Sequence, residues 1–244
     1  MSIPQLPLTL RHSPDQRLET FVNAPDGAIA QLRSLAGGSD DDETAGYRDP
    51  LGADWVYLVG PAGVGKTHLL LAACAQADIA GRRAAYVPLS AAVGRLREAL
   101  QSLETNDLLA LDGIEAIAGR REDEVALFDT YNRARQAGIA VIYAARENPD
   151  ELKLTLPDLR SRLSQCTRIV LTPLDDDGRA QVLRQRAQRR GLALEEAALE
   201  WMLKRMDRDL GGLTQLLDKL DRASLAAQRR ITVPFLKRTI DDEA

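Results

Sequence analysis

Histidine and cysteine are scarce in this chain: its 244 residues hold two of each. Two cysteines, Cys74 and Cys166, are too few for a disulfide framework, so the fold has to rest on a packed core. Cys74 falls among apolar residues, as a buried, inert thiol does. The two histidines, His12 and His68, make no metal cluster. Long apolar runs are missing too: none approaches the ~20 residues that span a bilayer. The N-terminus shows no secretory-leader pattern, so the expected location is the cytoplasm, with no membrane partner. An excess of positive charge is also lacking. The 32 Lys and Arg are outnumbered by 36 Asp and Glu, for a net charge of −4. That balance argues against strong nonspecific DNA binding by the chain alone, while leaving room for a local basic patch.

The length allows one large domain or two smaller ones, and a hydrophobic content of 45% is ordinary for a globular protein. The richest segment is Gly60-Pro61-Ala62-Gly63-Val64-Gly65-Lys66-Thr67, which fits G-x-x-x-x-G-K-[ST], the phosphate-binding P-loop. Its glycines let the backbone turn its N–H groups inward around phosphate oxygens. Lys66 is placed to reach the β- and γ-phosphates, and the Thr67 hydroxyl to ligate Mg²⁺. The context agrees. Trp55 to Val59 reads as a buried strand, and Thr67 to Ala77 as a helix whose N-terminus faces the phosphates. ADP or ATP with Mg²⁺ is the expected ligand. For His68, next to the motif, a packing role and a nucleotide contact are both open.

Residues 1–26 read as a polar, irregular arm, and Ala28 to Leu35 as a short helix. Residues 37–54 read as a solvated acidic loop. A βα alternation follows. Strands are expected at 84–89, 108–111, 139–144 and 167–171. Helices are expected around Val93, Leu96 and Leu100, over about 123–135, and over 156–163. Repeated βα units imply a parallel sheet flanked by helices. After Pro173 the pattern becomes all-helical. One helix starts near Asp175, a second carries Leu199, Met202 and Leu203, and a third runs from about Leu210 to Ala227. A short last element opens at Thr232. The expected division is an arm over 1–26, a nucleotide-binding core over 27–173 and a small helical lid over 174–244.

Leu108-Leu109-Ala110-Leu111-Asp112 is an apolar strand ending in a carboxylate, the Walker B pattern, and Asp112 is the second candidate Mg²⁺ ligand. The next residue is Gly113, where many ATPases carry the acid that orients the attacking water; Glu115 lies two further on. Intrinsic hydrolysis is therefore expected to be weak.

Together these motifs make the chain resemble the AAA+ ATPases, and within them the DnaA/Hda family, over about residues 4–240. The segments that carry the resemblance are Gly113-Ile114-Glu115, Phe128-Asp129-Thr130-Tyr131-Asn132, Leu156 to Leu163, and Leu217 to Ser224, of which the last two narrow it within the family. The resemblance implies an AAA+ P-loop core with a helical lid. It also implies a regulator that docks on the DNA-loaded sliding clamp, reaching DNA only through it, and stimulates hydrolysis of ATP held by DnaA. Gln5-Leu6-Pro7-Leu8-Thr9-Leu10 then resembles the family's clamp-binding peptide, with Gln5, Leu6, Leu8 and Leu10 as contacts. Arg162 matches the arginine finger aimed at a neighbour's γ-phosphate; a salt bridge to Asp158 is its plainer alternative. Arg208 matches roughly the lid arginine that contacts nucleotide. At the usual sensor position after the fourth strand stand Arg146, Glu147 and Asn148, with no choice among them. A DNA-reading C-terminal domain like that of DnaA is not expected. An autonomous ATPase or helicase loader and a DNA-binding initiator paralogue remain the rival readings, and self-association is left open.

Overall fold

The computed structural model describes residues 15–37, 55–103, 105–205, 210–227 and 230–241. Gln5, Leu6, Leu8, Leu10 and Arg208 lie outside them. The chain divides into two compact units, Met1–Thr172 and Pro173–Ala244.

The first unit is built on five parallel strands, β1 (Val56–Val59), β2 (Ala84–Pro88), β3 (Leu108–Asp112), β4 (Ala140–Ala145) and β5 (Thr167–Val170), in the order β2-β3-β4-β1-β5. The strands are short and apolar, as buried parallel strands are. Their residues alternate between two cores. Tyr57, Val59, Leu109, Leu111, Val141 and Tyr143 point to one face. There they meet α3 (Leu96–Gln101), α4 (Arg121–Ala137) and α5 (Pro157–Ser164). Val56, Leu58, Leu108, Ala110, Ile142 and Ile169 point to the other, against α1 (Ala28–Ala36) and α2 (Lys66–Ile79). This is the two-residue period of a pleated sheet covered on both sides. Trp55 closes the first core, its ring packed edge-on to Tyr131 at 4.8 Å.

The second unit holds α6 (Asp176–Arg189), α7 (Glu196–Arg205), α8 (Leu210–Ala227) and α9 (Val233–Asp241). Asp175 caps α6, its carboxylate accepting from the Gly178 N–H at 2.8 Å. Leu183, Leu199, Met202, Leu213, Leu217, Leu220 and Leu236 form its core. Arg190 Nη1 donates to Asp218 at 2.6 Å and pairs with Asp221 at 3.5 Å. Two acids of the Leu217–Ser224 segment thus tie α8 to the end of α6.

Two elements differ from the sequence reading. Residues 15–26 are not a uniformly polar arm: Leu18 and Val22 are buried, and Leu18–Thr20 forms a 3₁₀ turn. The segment packs on the start of α2, so its apolar residues are few but all used. The helix expected to include Val93 begins only at Leu96. Gly94 adopts φ +78°, and its N–H donates to the buried Asp123 carboxylate at 2.9 Å. Among the described residues no helix is long and apolar enough to cross a membrane.

Candidate functional site

In a parallel sheet, functional loops collect at the C-terminal strand ends, where the strand order reverses. Here that place is the end of β1, which pairs with both β4 and β5. The chain leaves β1 through Gly60, whose N–H donates to the Ala145 carbonyl at 3.3 Å. A Cβ on Gly60 would stand 2.3 Å from the Leu171 carbonyl oxygen, so glycine is required. Pro61, Ala62 and Gly63 are exposed at the loop tip, while Val64 is buried beneath it. Gly65 adopts φ +96°, and a Cβ there would meet the Phe21 ring at 2.6 Å. Phe21 therefore covers the base of the loop.

Lys66 opens α2 and is 9% exposed. Its Nζ donates to the carbonyls of Gly60 at 2.6 Å and Pro61 at 2.7 Å. Burial pulls the ammonium below its ordinary pKa, opposed by the Glu115 and Asp112 carboxylates. Thr67 Oγ1 donates to Asp112 Oδ2 at 2.6 Å, which joins the P-loop to the end of β3. Tyr86, on β2, donates its hydroxyl to the same oxygen at 2.9 Å. Burial and the Asp112 charge raise the Tyr86 pKa, so it stays a donor. A hydroxyl and a carboxylate beside a nest of backbone N–H groups and an ammonium are the donor set for a polyphosphate and a divalent cation. Gly113 adopts φ +82° with open space where a side chain would begin.

His68 faces the N-terminal segment. Its Nε2 lies 3.1 Å from the Arg17 carbonyl and 3.3 Å from Thr20 Oγ1, and its ring packs on Phe21 at 5.6 Å. The thiols of Cys74 and Cys166 are pushed up to about 12 by burial, which leaves them inert at neutral pH.

Arg162 is carried by α5, whose Leu159 and Leu163 are buried. Its guanidinium lies over the Tyr131 ring, 5.8 Å from the centroid, and Nη1 is 3.4 Å from Gln165 Oε1. Among the described residues Arg162 makes no ion pair with Asp158. The approach to α5 is held by Glu124, a fully buried acid on α4. Its carboxylate accepts from the N–H groups of Gly119, Thr155 and Leu156 and from the Thr155 hydroxyl, at 2.7–3.0 Å. Sequence reasoning singled out neither Tyr86, Phe21 nor Glu124; a carboxylate inside a charged helix carries no local sign of burial.

Comparison with known proteins places this arrangement. The family model for the bacterial DnaA ATPase domain matches residues 15–169, and the model for the Hda lid domain matches residues 176–240. Domain III of the Thermotoga maritima replication initiation protein DnaA is similar at 21% identity, with a TM-score of 0.72 over 96% of this chain and 98% of that one. AMPPCP-bound DnaA from Aquifex aeolicus is similar at 20% identity, with a TM-score of 0.68 over 96% and 71%. The Thermotoga maritima RuvB Holliday junction branch migration motor shares the fold at 20% identity, with a TM-score of 0.61 over 93% and 71%. A nucleotide-type P-loop at the sheet's reversal point, a Walker B strand beside it, and family matches across both units together show that the chain belongs to the bacterial DnaA ATPase-domain family of AAA+ proteins, with a lid of the Hda type.

Proposed function

We propose that this chain is an Hda-like regulator of replication initiation. It binds ADP or ATP with Mg²⁺, docks on the DNA-loaded sliding clamp and stimulates hydrolysis of ATP held by DnaA. The observation that carries the reading is a division of labour between two sites. Around the P-loop the binding groups are in place, yet Gly113 leaves no carboxylate next to Asp112. On α5, Arg162 stands partly exposed over Tyr131, without an acidic partner among the described residues. Binding machinery without its own water-orienting acid, plus an arginine to offer a neighbour, suits a protein that acts on another's nucleotide. When nucleotide is bound, Mg²⁺ supplies charge neutralisation between phosphate oxygens. Gly60 to His68 form the nucleotide contacts in this reading, with Thr67 and Asp112 on the metal; Arg208 joins them only by its resemblance to the family's nucleotide-contacting arginine. The deciding experiment is single-turnover hydrolysis of labelled ATP on DnaA, with clamp-loaded DNA, with and without this chain. An unchanged rate removes the proposal. Brisk turnover by the chain alone would instead favour an autonomous ATPase.

Two variants test the parts. Lys66→Ala removes a buried, charge-assisted phosphate contact and is expected to weaken ADP and ATP binding by about a hundredfold, since each 1.4 kcal/mol is tenfold. Calorimetry with unchanged affinity would discard the phosphate assignment. Changing Gln5, Leu8 and Leu10 together to Ala is expected to abolish clamp binding while leaving the melting temperature within about 2 °C. Wild-type clamp affinity in that triple variant would mean the docking peptide is elsewhere.

A further inference from the structure

Two hydroxyls converge on one oxygen of Asp112. Thr67 donates to Asp112 Oδ2 at 2.6 Å from the first turn of α2, and Tyr86 donates to the same atom at 2.9 Å from β2. Among the described residues no hydrogen bond reaches the other oxygen, Oδ1. The strand register brings Tyr86 there. In the β2–β3 ladder Tyr86 stands opposite Ala110, and Asp112 is two residues farther along β3. Residues two apart on a strand share a face, so Tyr86 and Asp112 are diagonal neighbours on the α2 side of the sheet. Ala110 is buried in the core on that side, and Tyr86 packs against it. A diagonal gap of this kind is within reach of an aromatic side chain.

The two donors are not equivalent. The Thr67 hydroxyl is a candidate Mg²⁺ ligand and belongs to the P-loop helix, which the phosphates engage. Tyr86 belongs to the sheet, and its hydroxyl serves Asp112 alone. The last torsion of an aspartate is broad and roughly two-fold, so a carboxylate held at one end turns easily. A second donor on the neighbouring strand restrains that rotation. Strand pairing does not need it: β2 and β3 are already joined by a ladder running from Ala84–Leu108 to Pro88–Asp112.

We propose that Tyr86 is a positioning residue for the divalent-cation site. It holds Asp112 by Oδ2 and thereby keeps Oδ1 for the cation or a water bound to it. The inference rests on the nucleotide-binding reading above. It is separate from the phosphate contact of Lys66, whose Nζ donates to the Gly60 and Pro61 carbonyls.

The test is calorimetry of the full chain with AMPPCP, in excess Mg²⁺ and in EDTA. The proteins are wild type, Tyr86→Phe, Asp112→Ala and the double variant. The ratio of the two affinities reads the cation, and the EDTA affinity reads the phosphate contacts and the fold. Wild type is expected to bind more tightly with Mg²⁺. Losing a hydrogen-bond partner behind a metal ligand typically lowers metal affinity by about 10–100-fold. Tyr86→Phe keeps the ring and deletes one oxygen, so it should lower the Mg²⁺ ratio about tenfold and leave the EDTA affinity within about twofold. Asp112→Ala should lower the ratio at least as far. Adding Tyr86→Phe to it should then change nothing further, because the hydroxyl acts through the carboxylate. A wild-type ratio in Tyr86→Phe overturns the inference. Equal losses in both media overturn it as well, since a merely structural bond would act that way. So does a further fall in the ratio on top of Asp112→Ala. A wild type that binds AMPPCP with no gain from Mg²⁺ removes the cation assignment of Thr67 and Asp112 along with it. A wild type that binds no AMPPCP removes the phosphate-site reading itself.

Discussion

Arg162→Ala is expected to keep nucleotide and clamp binding yet fail to stimulate hydrolysis of DnaA-bound ATP, with a loss of about a thousandfold in the stimulated rate. An arginine finger acts on charge that develops in the transition state of a neighbour's site, so its removal affects chemistry more than assembly. The geometry favours such a role. Leu159 and Leu163 anchor α5 in the core. The Tyr131 ring supports the guanidinium from one side, where a flat cation on an aromatic face gains ~0.5–2 kcal/mol. That contact restricts the side chain without neutralising it. Arg162→Lys should fail as well, because a point charge does not reproduce the fork of donors. Arg160→Ala is the control. It lies two residues away, so it points about 160° to the other side of the helix, and its loss should matter far less. The readout is single-turnover hydrolysis on DnaA with clamp-loaded DNA. Full stimulation by Arg162→Ala would remove the finger and most of the case for action in trans.

The P-loop was legible because its chemistry dictates the backbone, and the backbone dictates glycine at fixed spacing. Both Gly60 and Gly65 sit where a Cβ would collide. The five strands were legible as short apolar runs between helical periods, and each falls within about two residues of its expected ends. Helix ends were less so. For α4 the apolar stripe gave 123–135, whereas the helix runs from Arg121 to Ala137. Polar residues set those limits: Glu122, Asp123 and Glu124 fill the first turn, and Gly138 at φ +69° ends the last. Contacts made across long sequence separations left no local trace. Tyr86 reads as one more strand residue until β2 sets it beside Asp112. Glu115 and Arg146 were visible as individual charges near the motifs, but only the pairing of β3 with β4 brings them together. Phe21 was lost in a segment that reads as polar, because one aromatic ring among charges carries no period.

Glu124→Ala is expected to destabilise the first unit by about 3–5 kcal/mol, from the loss of a hydrogen-bonded buried carboxylate. One side chain satisfies four donors on two loops: Gly119 on one, and Thr155 and Leu156 on the other. These bonds are charge-assisted, hence about twice as strong as neutral ones, and the carboxylate that accepts them is fully buried. Alanine strands the donors and opens a cavity beside α4; each unsatisfied group costs ~1–3 kcal/mol. Glu124→Gln keeps the volume but turns an amide NH₂ toward N–H groups, so about half the loss should remain. For a unit of this size, thermal melting should fall by roughly 10 °C in the alanine variant. The functional consequence follows from position. Leu156 precedes the first turn of α5, so Glu124 fixes the entry of the helix that carries Arg162. Glu124→Gln, assayed at a temperature where it is fully folded, should therefore lose stimulation of DnaA while keeping ADP affinity. A folded Glu124→Gln protein with full stimulation would show that the four bonds serve stability alone.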